Sequence, residues 1–215
     1  MTVNDDEICP FCGILPIKGN NHSYREAYDH YLPKGLYPFN AINFKNLAPM
    51  CHECNSTYKL SSDPIYEDYK KIDPLKKEEK RQLAFYPYST NPPAIDINLN
   101  ILTTDVRNLS PCHIEIDIKA IDHDEQVESW KRVFGLEERY TALLCNKHRA
   151  KEWFNDVYDD FENAETLADV EDAEKYYRKV IRATTRNNRS ACNILKRVFL
   201  EDCKAKDLLQ SKHLV

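Results

Sequence analysis

Two Cys-x-x-Cys pairs, Cys9/Cys12 and Cys51/Cys54, bracket an Asp29-His30 dipeptide, and Asn55 follows the last cysteine directly. A Cys-x-x-Cys pair chelates from a tight turn, and two pairs complete a tetrahedron of thiolates, so these four cysteines are expected to hold a structural zinc ion. A plain zinc ribbon separates its pairs by roughly 15–20 residues. The interval from Cys12 to Cys51 is longer, so the metal staples the base of a larger insert. A carboxylate and an imidazole side by side in that insert are more than a structural ribbon needs.

In an extended strand, neighbouring side chains point to opposite faces, so Asp29 and His30 can serve different partners. Asp29, the amide oxygen of Asn55 and several waters would make a hard oxygen site suited to a catalytic Mg²⁺ or Mn²⁺. Such an ion can clamp a phosphate and stabilise charge on a leaving oxygen. His30, whose imidazole can take and give a proton, suits the role of general base for an attacking water. Asn55 is expected on a short helix opened by Pro49 and Met50, its place fixed by the adjacent ligand Cys54. Tyr24, Arg25, Lys34 and Lys45 flank these residues and are candidates to track a phosphate backbone.

At these residues the chain resembles the HNH endonucleases, the ββα-metal family. The likeness lies in Cys9-Pro10-Phe11-Cys12, in Tyr28-Asp29-His30-Tyr31-Leu32-Pro33, and in Asn46 through Met50, Cys51, Cys54 and Asn55 to Lys59. It covers about residues 9–60. The resemblance implies phosphodiester hydrolysis with one divalent metal, leaving a 5′-phosphate. It implies His30 as general base, Asp29 and Asn55 as metal ligands, Asn46 as the residue pinning the loop, and Lys59 as a substrate contact. The family often shows Lys-Gly three residues after the last position of its motif. Here Lys59 comes four after and Leu60 follows it. The layout, an N-terminal module followed by a helical tail containing Trp130, Phe134 and Arg139-Tyr140, is similar to the PtuB-type nuclease subunits of Septu anti-phage systems. That likeness implies an ATPase partner docked on the helical region. The contrasting expectation is a catalytically retired zinc module that binds nucleic acid or bridges a partner.

The elements that must position these residues are legible by pattern. The reading is an α+β chain in three parts. A zinc-stapled ββα-metal module spans 1–62, a charged linker and β-hairpin 63–124, and a helical region 125–215. The linker is punctuated by Pro64, Pro74, Pro87, Pro92 and Pro93, with a helical run expected around Leu75 to Ala84. Ile95, Ile97, Leu99 and Ile101 alternate with polar residues, as do Ile114, Ile116 and Ile118, which predicts two half-buried strands. From Glu125 onward there is no proline and apolar residues recur at helical spacing, predicting three or four helices packed together and on the hairpin.

The net charge is −5 over 215 residues, but it is distributed in blocks. Residues 155–174 carry nine acids and no lysine or arginine, whereas 175–206 carry ten basic residues against Glu201 and Asp202. Arg182, Arg186, Arg189, Lys196 and Arg197 could extend a DNA-binding face, or simply pair with the acidic block. Cys112, Cys145, Cys192 and Cys203 lack ligand spacing and read as buried thiols. No run approaches the 18 apolar residues of a membrane helix and the polar N-terminus is no signal peptide, so a cytoplasmic protein acting on DNA, without membrane contact, is expected. Nothing resembles a base-reading helix-turn-helix or an ATP-binding motif.

Overall fold

A computed structural model describes residues 8–18, 21–24, 26–66, 81–146, 148–187 and 192–210. Most of the expected run Leu75–Ala84, together with Arg25 and Arg189, lies outside them. The chain divides into two compact units: residues 1–96 with 119–136, and residues 97–118 with 137–215. Both α-helices and short two-stranded sheets occur, so the architecture is mixed α/β.

In the first unit, the Cys9–Cys12 turn closes through Gly13 N–H to Cys9 O (2.9 Å) and Cys9 N–H to Leu15 O (2.9 Å). Gly13 takes φ +64°, which only a residue without Cβ adopts freely, so the chain can fold back after the second cysteine and bring Leu15 O to Cys9 N–H. Strand β1 (Tyr28–His30) pairs antiparallel with β2 (Leu47–Pro49), with Asp29 opposite Ala48 and His30 opposite Leu47. Past β2 the chain is buried at Met50 and Cys51, then winds into a wide π-type turn over Cys54–Lys59. Such turns, closed by i→i+5 bonds, are rare and frequently accompany functional sites.

Helix α1 (Asp124–Phe134) completes this unit, burying Val127, Val133 and Phe134. The Phe134 and Phe11 rings stack at 4.8 Å, and Trp130 Nε1–H donates to Phe11 O at 2.7 Å. α1 stops at Gly135 in the left-handed conformation (φ +58°), where a Cβ would lie 2.5 Å from the Tyr58 ring. Glycine is required there twice, for its φ and for the close approach that seats the end of α1 on the turn carrying Asn55.

The second unit holds strands β3 (Asp96–Ile101, all but its first residue) and β4 (Ile114–Lys119, all but its last residue), paired as a two-stranded sheet. Their burial alternates along the strands, as period-two patterning requires. Four helices follow: α2 (Leu136–Leu144, from Glu137 onward in this unit), α3 (Arg149–Glu162), α4 (Leu167–Arg186) and α5 (Asn193–Ala205). Thr166 caps α4 in a reciprocal box with Asp169. α3, α4 and α5 pack on one another around Val157, Phe161, Leu195 and Phe199. The basic block pairs in part with the acidic one, through Lys196–Asp156 (3.3 Å), Lys175–Asp172 (2.8 Å) and Lys204–Glu174. Of the four unpaired-spacing cysteines, Cys192 and Cys203 are buried, but Cys145 is half-buried and Cys112 is exposed. Cys112 sits on the turn before β4, where no core exists to cover it. Among the described residues no helix is long and apolar enough to cross a membrane.

Candidate metal centre and the adjoining histidine site

The four cysteines of the two pairs converge, all buried, with their sulfurs within 4.8 Å of one another. Cys9 Sγ lies 3.7 Å from Cys54 Sγ, and Cys12 Sγ 3.9 Å from Cys51 Sγ. A tetrahedron with Zn–S bonds of about 2.3 Å has edges of about 3.8 Å, so the cluster fits a metal ion such as zinc. Cys51 N–H also points at Cys9 Sγ (3.4 Å), a backbone donor that favours a thiolate there. Without a cation the four groups compete. Hydrogen bonds from Cys51, Cys54 and Cys9 hold the Cys12 thiol far below the ordinary range. Hydrogen bonding to Cys12, Cys51 and Cys9, with burial, pushes Cys54 up. Four thiolates coexist only around a positive charge. His52, between two of the ligands, is exposed and meets Ser56 Oγ at 3.4 Å, so it stands outside the cluster.

His30, at the end of β1, is half-buried, and its Nε2 lies 2.9 Å from Ala41 O. A carbonyl can only accept, so Nε2 carries the proton in this contact, and the neutral ring then keeps its lone pair on Nδ1. A histidine oriented through one nitrogen with the other available is the arrangement a general base requires.

Asn46 holds the loop between β1 and β2 in shape. It is buried; its Oδ1 accepts from Leu32 N–H (2.7 Å) and its Nδ2 donates to Leu32 O (3.0 Å) and Asn40 O (3.3 Å). One amide thereby joins the start of the loop to the turn just before Ala41. Tyrosines tie the loop and β2 to the residues around them: Tyr31 donates to Phe85 O (2.6 Å), Tyr86 to Lys45 O (3.3 Å), Tyr88 to Leu47 O, and Tyr37 to Asp63 Oδ2 (2.6 Å). Burial first, and Asp63 after it, raises the Tyr37 phenol, which stays a donor at neutral pH.

Asp29 Oδ2 lies 3.0 Å from Lys59 Nζ. Lys59 is fully buried, so the side chain expected to meet substrate instead faces this carboxylate. The oxygen accepts no hydrogen bond, which makes the contact an ion pair met off-axis. Asn55 is half-buried, and among the described residues its side-chain amide makes no hydrogen bond. Asn55 sits four residues before Lys59 on the same turn. Tyr24, Lys34 and Lys45 are exposed around the site.

Sequence reasoning missed the Ala41 carbonyl, which has no side-chain signature, and the burial of Lys59. The Gly13 turn was there to be found, since glycine directly follows the first Cys-x-x-Cys.

No protein-family model matches the chain, and no solved structure matches it. A segment is 34% identical over 74 residues to Protein ea31 of Escherichia phage lambda. The match takes in 34% of this chain and 23% of ea31, so the chain accounts for under a quarter of that protein's length.

Proposed function

We infer that the chain is a metal-dependent DNA endonuclease of the HNH type, hydrolysing phosphodiester bonds with His30 as general base. The observation that carries this reading is the His30–Ala41 contact, which fixes the ring through Nε2 and leaves Nδ1 to take a proton from water. The order of β1, β2 and the turn Cys54–Lys59 beside a four-cysteine cluster agrees with a ββα-metal module. Asp29 and the Asn55 amide oxygen would hold Mg²⁺ or Mn²⁺. The Asp29 carboxylate supplies hard oxygens of the kind such an ion takes, and its Oδ2, which faces Lys59, accepts no hydrogen bond. The bound ion supplies charge stabilisation to the phosphate and the leaving oxygen. Lys59 is a positioning residue that aims Asp29 rather than a phosphate contact. Asn46 keeps Ala41, and through it His30, in place. The layout of this module with a helical region beyond it is the ground for reading the chain as a defence-system nuclease that works with an ATPase partner.

The Lys59 ammonium also favours a second reading. It already neutralises Asp29, as it would in a retired scaffold that binds nucleic acid or a partner without cutting. Supercoiled plasmid incubated with wild type and with His30→Ala, in Mn²⁺ or Mg²⁺, separates the two. Metal-dependent cutting abolished in a variant that keeps its zinc supports the nuclease. Equal cutting by the variant removes His30 as base, and no cutting by folded wild type favours the retired scaffold.

A further inference from the structure

The loop between β1 and β2 contradicts the usual economy of a protein surface. Phe39 is 95% exposed, Ile42 87%, Phe44 78% and Leu36 63%, four large apolar side chains within nine residues. Single exposed hydrophobics are ordinary, but a cluster marks an interaction site. Nor is this a slack loop whose side chains merely failed to find cover. Its turns close through Leu36 N–H and Tyr37 N–H to Pro33 O, Ala41 N–H to Pro38 O and Asn43 N–H to Asn40 O, at 2.9–3.2 Å. Asn46 and the Tyr37–Asp63 hydrogen bond fasten it to the body of the unit. The fold closes the backbone that presents these side chains to water, so the loop's own ordering cost is met before any partner arrives.

What covers them is indicated by the neighbouring groups. Ala41, whose carbonyl orients His30, lies one residue from Ile42 and two from Phe39. A protein seated on this crest would lie over the histidine that must face the scissile phosphate, whereas DNA brings its bases there with the phosphate. Lys34 and Lys45 bracket the crest, both exposed, and among the described residues neither pairs with a carboxylate. Cations beside apolar points match a polyanion with a stacked interior, and Phe, Leu and Ile are side chains that enter base steps.

We propose that Phe39 and Ile42 form a wedge that enters the base stack of duplex DNA beside the phosphate facing His30, with Lys34 and Lys45 on the flanking phosphates. The wedge rests on the nuclease reading for its position. Unstacking a step at the cleavage site would bend the backbone toward His30 and give preference to easily opened pyrimidine–purine steps without base-specific hydrogen bonds.

The test uses the full zinc-loaded chain, without added divalent cation, on short duplexes carrying 2-aminopurine at successive positions. Wild type brightens the fluorophore where the stack opens. Phe39→Ala/Ile42→Ala binds roughly tenfold more weakly and does not brighten it, while keeping wild-type zinc content and melting temperature because both side chains are exposed. Phe39→Trp retains the signal. Lys34→Gln/Lys45→Gln weakens binding and flattens its salt dependence, but brightens the fluorophore at saturation. The wedge is overturned if wild type binds without brightening, if it binds no duplex, or if the Phe39→Ala/Ile42→Ala variant behaves as wild type. Because this readout involves no cleavage, the two readings fail separately. A chain that brightens but never cuts loses only the nuclease reading, and one that cuts without brightening loses only the wedge.

Discussion

Lys59 is more deeply buried than the carboxylate it neutralises: its side chain is 1% exposed against 19% for Asp29, across a 3.0 Å ion pair. The two partners therefore differ in what each leaves behind when removed. Asp29→Asn strands an ammonium in the interior and is expected to cost about 3–4 kcal/mol. Lys59→Met keeps the aliphatic stem and leaves a carboxylate that water partly reaches, for a loss of about 2 kcal/mol. Urea unfolding of both variants checks the order, and equal losses would mean the pair is not the main term. Under the nuclease reading, millimolar Mn²⁺ restores part of the stability of Lys59→Met, since the ion replaces the ammonium at Asp29. A midpoint unmoved by Mn²⁺ would separate Asp29 from the metal.

The turn that ends this helical segment carries strain that a substitution can release. Leu60 adopts φ 44° and ψ −118°, and Ser62 N–H reaches Lys59 O at 2.7 Å. These are the marks of a type II′ turn with leucine at the position glycine normally fills. Leu60 is 58% exposed, so its side chain returns little burial for the conformation it imposes. Leu60→Gly is expected to raise stability by about 1 kcal/mol, read as a higher urea midpoint with unchanged slope. A lower midpoint would show that the leucine side chain makes contacts worth more than the strain.

Legibility in the sequence followed physical type. The four cysteines declare themselves because metal ligation needs particular atoms at particular spacings, and they do converge. The paired strands β3 and β4 declare themselves because half-burial forces alternation. Lys59 gave no sign of burial, since a lysine is read as a solvated charge until its partner's position is known. The Ala41 carbonyl gave none, because every residue has one. The π-type winding of Cys54–Lys59 is a choice of hydrogen-bond register that side-chain pattern does not encode. Trp130, Val133 and Phe134 announced a helix with an apolar face, but not that the face belongs with Phe11 in the first unit rather than with the helices after it. Such pairings are set by long-range contacts that no local period contains.

The four-cysteine cluster and the histidine site share a covalent frame, which dictates how loss of a bound metal should propagate. Cys54 is both a member of the cysteine cluster and the first residue of the turn bearing Asn55 and Lys59, and Cys51 follows β2 almost directly. A structural zinc in a small module contributes on the order of 10 kcal/mol to folding. Chelation should therefore remove the first unit's structure together with any activity, rather than activity alone. The same follows on acidification. A zinc ion held by the four sulfurs would keep them deprotonated, placing their folded pKa values in the bound form below the unfolded ones. The stability they contribute is present above the unfolded value and is lost as pH falls and protons displace the metal. Cys51→Ala should show the same loss at neutral pH, because three thiolates and a methyl leave the tetrahedron open. The measurement is zinc release, followed with a colorimetric chelator, alongside amide hydrogen exchange at Tyr31 and Leu32. Both amides are held by Asn46, at 2.7 Å each. Protection there that survives complete zinc release would uncouple the histidine loop from the metal and overturn the shared frame.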